Sequence, residues 1–232
     1  VLVHSHPEGA VTQAQVGSGS TDQQSDRPIN AIVPLAILRT LQMLDRTDPV
    51  DLEEFADEVA PRRLGTSATV SAQIDRYTKL VKGGESIGSD EVVQLFRLVG
   101  RRKDAALAFS EAGRLAAEEI LGQTSTASRI VHRAGQVVAR ERVNFALAMR
   151  LSNRLLGVEM SVEENGGTHA VADGPLTDSA PDGKPCGFFG AALAQLLRRC
   201  TDFEGAMMHR SCRARGDETC SWQSGASDGY TR

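Results

Sequence analysis

Cys212 and Cys220 flank the segment RARGDET, with seven residues between them, and His209 stands three positions before the first cysteine. The Gly216-Asp217 pair marks the segment as a turn. If the flanking stretches GAMMHRSCRA and ETCSWQ pair as a hairpin, their ends lie within ~5 Å of each other, so both thiols face one point. His209 is at an odd offset from Cys212, so on a regular strand its ring projects from the opposite face. A bulge or twist is needed to bring it round. Cys186 lies 26 positions before Cys212, just ahead of the apolar run GFFGAALAQLLRR. Three thiolates and one imidazole form a closed tetrahedral set suited to structural zinc. The competing reading is that these cysteines are small buried hydrophobes. The spacing is not that of a two-residue knuckle and does not by itself decide between them.

Compartment bears on the thiols. The opening residues, VLVHSHPEGAVTQAQVGSGSTDQQSDRP, contain no basic stretch followed by an apolar one, so no secretory signal is read and a cytoplasmic location is expected. In that compartment clustered cysteines more often bind metal or do redox chemistry than form disulfides. No apolar run approaches the ~20 residues that cross a bilayer. Net charge is −4 and aromatics are 4% of the 232 residues, which argues against a nucleic-acid surface and against a base-stacking platform.

The chain changes texture three times. Residues 1–28, rich in Gly, Ser, Gln and Thr, read as a mobile tail. Residues 29–157 read as a helical part. NAIVPLAILRTLQMLDR predicts a buried helix over about 32–45, with Pro34 in its first turn. DPVDLEEFADEVAP predicts another, with Asp51 and Glu54 as a capping box, Val50 and Phe55 as a staple and Pro61 as the stop. ATVSAQIDRYTKLVKGG ends at Gly83 and Gly84. Ser89 opens DEVVQLFRLVGRR, acidic at its start and basic at its end. Phe109, Ala112, Ala116 and Ile120 share one helix face, as do Val143, Leu147, Ala148, Leu151 and Leu155. In residues 158–225 the period drops to two: Val158, Met160 and Val162 alternate with polar residues, and Asn165-Gly166 signals a hairpin. GPLTDSAPDGKPC reads as a loop, GFFGAALAQLLRR as a helix, and residues 226–232 as a tail. Helices first and strands later give an α+β class, in which an N-terminal helical part packs on an antiparallel sheet with a helix between its two hairpins.

Cys186-GFFGAALAQLL followed by His209-RS-Cys212-RAR-Gly216-Asp217-ET-Cys220-S-Trp222 resembles the signature of the vinyl-4-reductase-type domain. That domain occurs in the bacteriochlorophyll-synthesis protein historically called 4-vinyl reductase and in the sensor module of phenol- and xylene-responsive activators. In the sensor branch three cysteines and a glutamate at these places hold zinc. The resemblance therefore implies zinc on Cys186, Cys212 and Cys220, with His209 standing where that branch has glutamate. The order of INAIVPLAILRTL, the helical segments after it and GPLTDSAPDGKPC resembles the bacteriochlorophyll branch. RVNFALAM stands where that branch has a Trp-containing stretch.

The resemblance further implies a cavity for a small or planar apolar molecule between helices and sheet. Its candidate walls are Phe145, Met149, Met160, Phe188, Phe189, Leu193, Met207 and Met208, each also readable as plain core. His132 and His169 are candidate polar anchors or ordinary histidines, and Cys200 reads as a buried hydrophobe. No dinucleotide fingerprint, phosphate loop or nucleophile elbow is found, so a binding protein is expected rather than a reductase. The expected role is an accessory or carrier for (bacterio)chlorophyll precursors, working with a pigment-synthesis enzyme. The alternative is a sensor of small aromatic or lipid-like molecules that signals through a partner. The apolar helix over 136–157 is a candidate two-fold interface, so a homodimer is expected.

Overall fold

The computed structural model describes residues 28–46, 64–123, 137–164, 166–180 and 182–225. The expected capping box and helix over 48–61, His132, Asn165 and both tails lie outside the described residues, apart from Pro28. Six α-helices and two antiparallel sheets are seen among those described.

Helix α1 (Ile32–Leu44) is almost wholly apolar and nine of its residues are buried. Its first free N–H groups need an acceptor, and Asn30 supplies one, its Oδ1 accepting from the Ile32 N–H at 3.0 Å. Helix α2 (Ala68–Gly83) is opened by Ser67, whose Oγ accepts from the Val70 N–H, and closed by Gly84 at φ 69°. Helix α3 (Ser89–Gly100) carries Asp90 and Glu91 in its first turn and Arg97 in its last, matching the helix dipole. Two short strands, β1 (Ile29–Asn30) and β2 (Ser86–Ile87), clasp the start of α1 to the α2–α3 link. Two-residue strands carry no periodic signal, so the sequence reading did not find them.

Helix α4 (Ala105–Gln123) buries Phe109, Ala112, Ala116 and Ile120, the face expected for it. Its small residues let α6 (Cys186–Cys200) lie against it at very short range. A side chain at Gly113 would collide with the Phe188 carbonyl. The close crossing fixes the first turns of α6, and therefore Cys186, against the helical half. Helix α5 (Val137–Leu151) buries Asn144 and Ala148, four residues apart, on a stripe that continues to Ser152. Leu147, Leu151 and Leu155 flank that stripe, half-buried. Val143, expected on the buried face, sits one residue off the stripe and is exposed. A π-helical turn (Ser152–Leu156) ends at Gly157, φ 67°.

The main sheet has the order β3 (Val158–Val162), β4 (Thr168–Ala172), β6 (Cys220–Gly225), β5 (Ala206–Ser211), all antiparallel. In sequence, α6 stands between the two hairpins, as expected. Val158 and Met160 point into the core. Val162, expected to continue that alternation, is exposed at the end of the edge strand β3. The buried residues of the helical part and the sheet form one contiguous cluster from Ala31 to Trp222.

Candidate metal centre and the cavity beside it

The β5–β6 hairpin holds the answer to the parity problem at His209. His209 pairs with Trp222, but Ser211 pairs with Ser221, so Arg210 is one residue too many on its strand. This β-bulge switches the side-chain alternation. It turns His209 to the same side as Cys212, the arrangement a regular strand forbids. The chain then makes a 3-10 turn (Arg213–Arg215) and reverses at Gly216, φ 95°. Asp217 clamps the reversal: its Oδ2 accepts from the Cys212 N–H at 2.6 Å. The Cys212 carbonyl accepts from the N–H groups of Arg215 and Asp217. Cys220 opens the returning strand, and Cys186 arrives from the N-terminus of α6.

The ligand atoms of Cys186, His209, Cys212 and Cys220 all lie within 4.8 Å of one another, and the three cysteines are buried. The Cys186 sulfur is 3.5 Å from that of Cys220 and 3.8 Å from that of Cys212. A tetrahedron with metal–sulfur bonds of ~2.3 Å has edges of about 3.8 Å, so the sulfur spacing suits a shared ion. His209 Nε2 is buried with no hydrogen bond of normal geometry. Such an orphaned nitrogen is unfavourable unless something binds it. The imidazole is held by stacking on Trp222, centroids 5.2 Å apart. The Arg213 N–H points at the Cys220 sulfur, 3.4 Å away. Gly183 sits at φ 70°, and a side chain there would reach within 2.9 Å of the Cys212 sulfur. This cluster of buried Cys and His groups can hold a metal ion.

The electrostatics agree. A hydrogen bond from the Cys186 thiol, with help from the Arg213 N–H, brings Cys220 down to about 4 although burial opposes it. Cys186 is pushed up, as the donor in that bond and by burial. The pair gives up one proton readily and holds the other, and an ion takes the place of such a shared proton. Cys200, at the far end of α6, is outside the cluster. It is buried, and burial pushes its thiol up to about 11, as suits a hydrophobe.

A cavity of about 220 Å³ lies beside the first turns of α6, which contribute Phe189 to its wall. Three segments wall it: residues 28–30, the π-turn with Gly157, and the β4–α6 loop at 172–177, with Phe189 between them. That loop is tied to the Cys/His cluster through Arg213, the neighbour of Cys212. The Arg213 guanidinium bonds Asp173 and, at 2.8 Å, Asp178. Phe189 also packs on Trp222, centroids 5.8 Å apart.

Of the eight expected wall residues, Phe189 lines this cavity. Met160, Phe188, Leu193 and Met207 are buried in the common core, while Phe145 and Met149 are half-buried against it. Met208 is exposed on the outer face of the sheet. His169 is half-buried on β4, paired with Ser161 and Gln223. The sequence reading missed Asn30, Arg154, Asp173 and Leu176 as cavity walls, and Gly183 and Asp217 as supports of the cluster. The Gly-Asp pair was visible as a turn. The cavity residues come from distant loops and carry no shared spacing.

Comparisons with known protein families, with curated proteins and with solved structures found no match.

Proposed function

We propose that this chain is a binding protein for a small hydrophobic or planar ligand, its scaffold fastened by a structural zinc ion on Cys186, His209, Cys212 and Cys220. The observation that carries the reading is the convergence of four ligand atoms, drawn from three separated places in the sequence, within 4.8 Å. Zinc fits three thiolates and an imidazole, and such a closed set leaves no open position for catalysis. What the ion supplies is folding free energy and rigidity. Those effects reach the cavity through Arg213, Phe189 and Trp222.

The resemblance to the vinyl-4-reductase-type domain suggests two roles: a carrier for chlorophyll precursors, or a sensor acting through a partner. The cavity volume favours a compact ligand. Its 220 Å³ falls below the ~300–1,000 Å³ common for drug-sized ligands. A single ring fits within it, whereas a tetrapyrrole would need it to widen. No helix among the described residues is long and apolar enough to cross a membrane.

Native mass spectrometry of protein purified without chelators tests both halves. One zinc per chain is expected, retained by His209→Cys and lost from Cys220→Ser. Titration with phenol and with chlorophyllide should give a bound species with at least one of them. Folded protein free of metal overturns the zinc assignment. Failure of both probes to bind overturns the ligand-binding role.

A further inference from the structure

The polar rim of the cavity has unspent hydrogen-bond donors and no unspent acceptor of full charge. Asp173 is the carboxylate on its wall, and Arg213 answers its charge. Thr177 directs its hydroxyl proton to the Gly174 carbonyl at 2.7 Å. Asn30 has its Oδ1 committed to the Ile32 N–H, so its amide N–H₂ is what remains to offer. Arg154, exposed at the rim, makes no ion pair and no hydrogen bond among the described residues. The wall beneath is apolar, with Phe189, Leu156 and Leu176 buried in it. The segment presenting Arg154 is the π-turn, a wide helical turn frequent at functional sites.

We propose that the cavity binds a compact amphipathic carboxylate, its apolar body against Phe189, Leu156 and Leu176 and its carboxylate on Arg154 and the Asn30 amide. This rests on the ligand-binding reading above and names the ligand class for that site. At ~30 Å³ per water the cavity holds roughly seven waters, the room of one ring or a short chain. Guanidinium and carboxylate match as a two-pronged, charge-assisted pair. A neutral apolar molecule would leave that pairing unused, and a cation would meet Arg154 first.

The test uses the 232-residue, zinc-loaded chain, titrated by calorimetry with benzoate, benzyl alcohol and benzylammonium. Benzoate should bind at least about tenfold more tightly than benzyl alcohol, with benzylammonium weakest. The tenfold figure is modest because Arg154 is open to water, which screens the pair. Arg154→Gln should bring benzoate level with benzyl alcohol. Arg150→Gln, which removes another exposed arginine one turn earlier, should leave the ratio as it was. Equal affinity for benzoate and benzyl alcohol, a preference for benzylammonium, or an unchanged ratio in Arg154→Gln each overturn the anionic-ligand inference while leaving a ligand site in place. If none of the three probes binds, the cavity is not a ligand site, and both this inference and the binding role fall.

Discussion

Replacing Gly183 with alanine should damage metal binding, whereas the same change at Gly216 should not. Both glycines have positive φ, 70° and 95°, where a side chain costs roughly 1–2 kcal/mol of backbone strain. That strain acts on the metal-free and metal-bound protein alike, so it lowers stability without changing affinity. The difference lies in what the new carbon meets. At Gly216 nothing is within 4 Å, but at Gly183 the Cys212 sulfur is 2.9 Å away. Comfortable contact needs roughly 3.5–4.0 Å, so the sulfur must move by about 0.6 Å or more. In metal-free protein Cys212 can swing aside by rotating about χ1. With an ion bound, its sulfur is confined to within ~0.2 Å, and the clash falls on the loaded state alone. Disturbance of a ligand's supports typically lowers metal affinity by ~10–100-fold, equivalent to about 1.4–2.7 kcal/mol. Competition against a chromogenic chelator, run on both variants beside thermal unfolding of the metal-free forms, measures the two effects separately. Equal zinc affinity in Gly183→Ala and Gly216→Ala would refute the reasoning, because the cradle at Cys212 would then have no role.

Two further outcomes follow from charges away from the Cys/His cluster. Asp45, fully buried at the end of α1, receives two hydrogen bonds from the nearly buried Arg102 and one from the Gly65 N–H. Asp45→Ala leaves the Gly65 N–H without its acceptor and Arg102 with Asp104 as its carboxylate partner, and should lower urea-measured stability by ~1–3 kcal/mol, whereas Glu111→Ala at the exposed Arg114 pair should change it by less than ~1 kcal/mol; a loss at Asp45 no larger than that at Glu111 would rule out a buried lock. The Arg76 hydrogen bond, joined by Tyr77, holds Glu91 below its ordinary 4.5. The folded state therefore binds that proton less tightly than the unfolded chain, and the contribution is complete above about pH 4.5 and lost as pH falls through the lower folded value. Glu91→Gln should be slightly less stable than the parent near neutrality, by ~0.2–1 kcal/mol for so exposed a pair, and denaturant melts of the two should converge in acid.

Much of the helical half was legible in the chain. The buried run after Asn30, the stop at Gly84, the acidic opening of α3 and the Phe109–Ile120 face of α4 are all local properties, set by spacing, turn chemistry and dipole. The turn between Cys212 and Cys220 was likewise legible from Gly216-Asp217. Val143 and Val162 mark the limit of periodicity. It tells which residues share a face but not how far the neighbouring element extends to cover that face.

The sequence alone determined the ligand types available for a metal and the hairpin that brings two of them together. Only the tertiary structure decided that His209 joins them, because strand parity forbids it and a single bulge at Arg210 reverses that parity. It also decided that Cys186 joins them, through the close crossing of α4 and α6 at Gly113. The cavity is likewise a tertiary product, since its walls are segments that meet only when β4 pairs with β6 and the β4–α6 loop is drawn in by Arg213. Such meetings depend on contacts between residues far apart in the chain, whose free energy exists only once the whole core has closed, and so no local pattern records them.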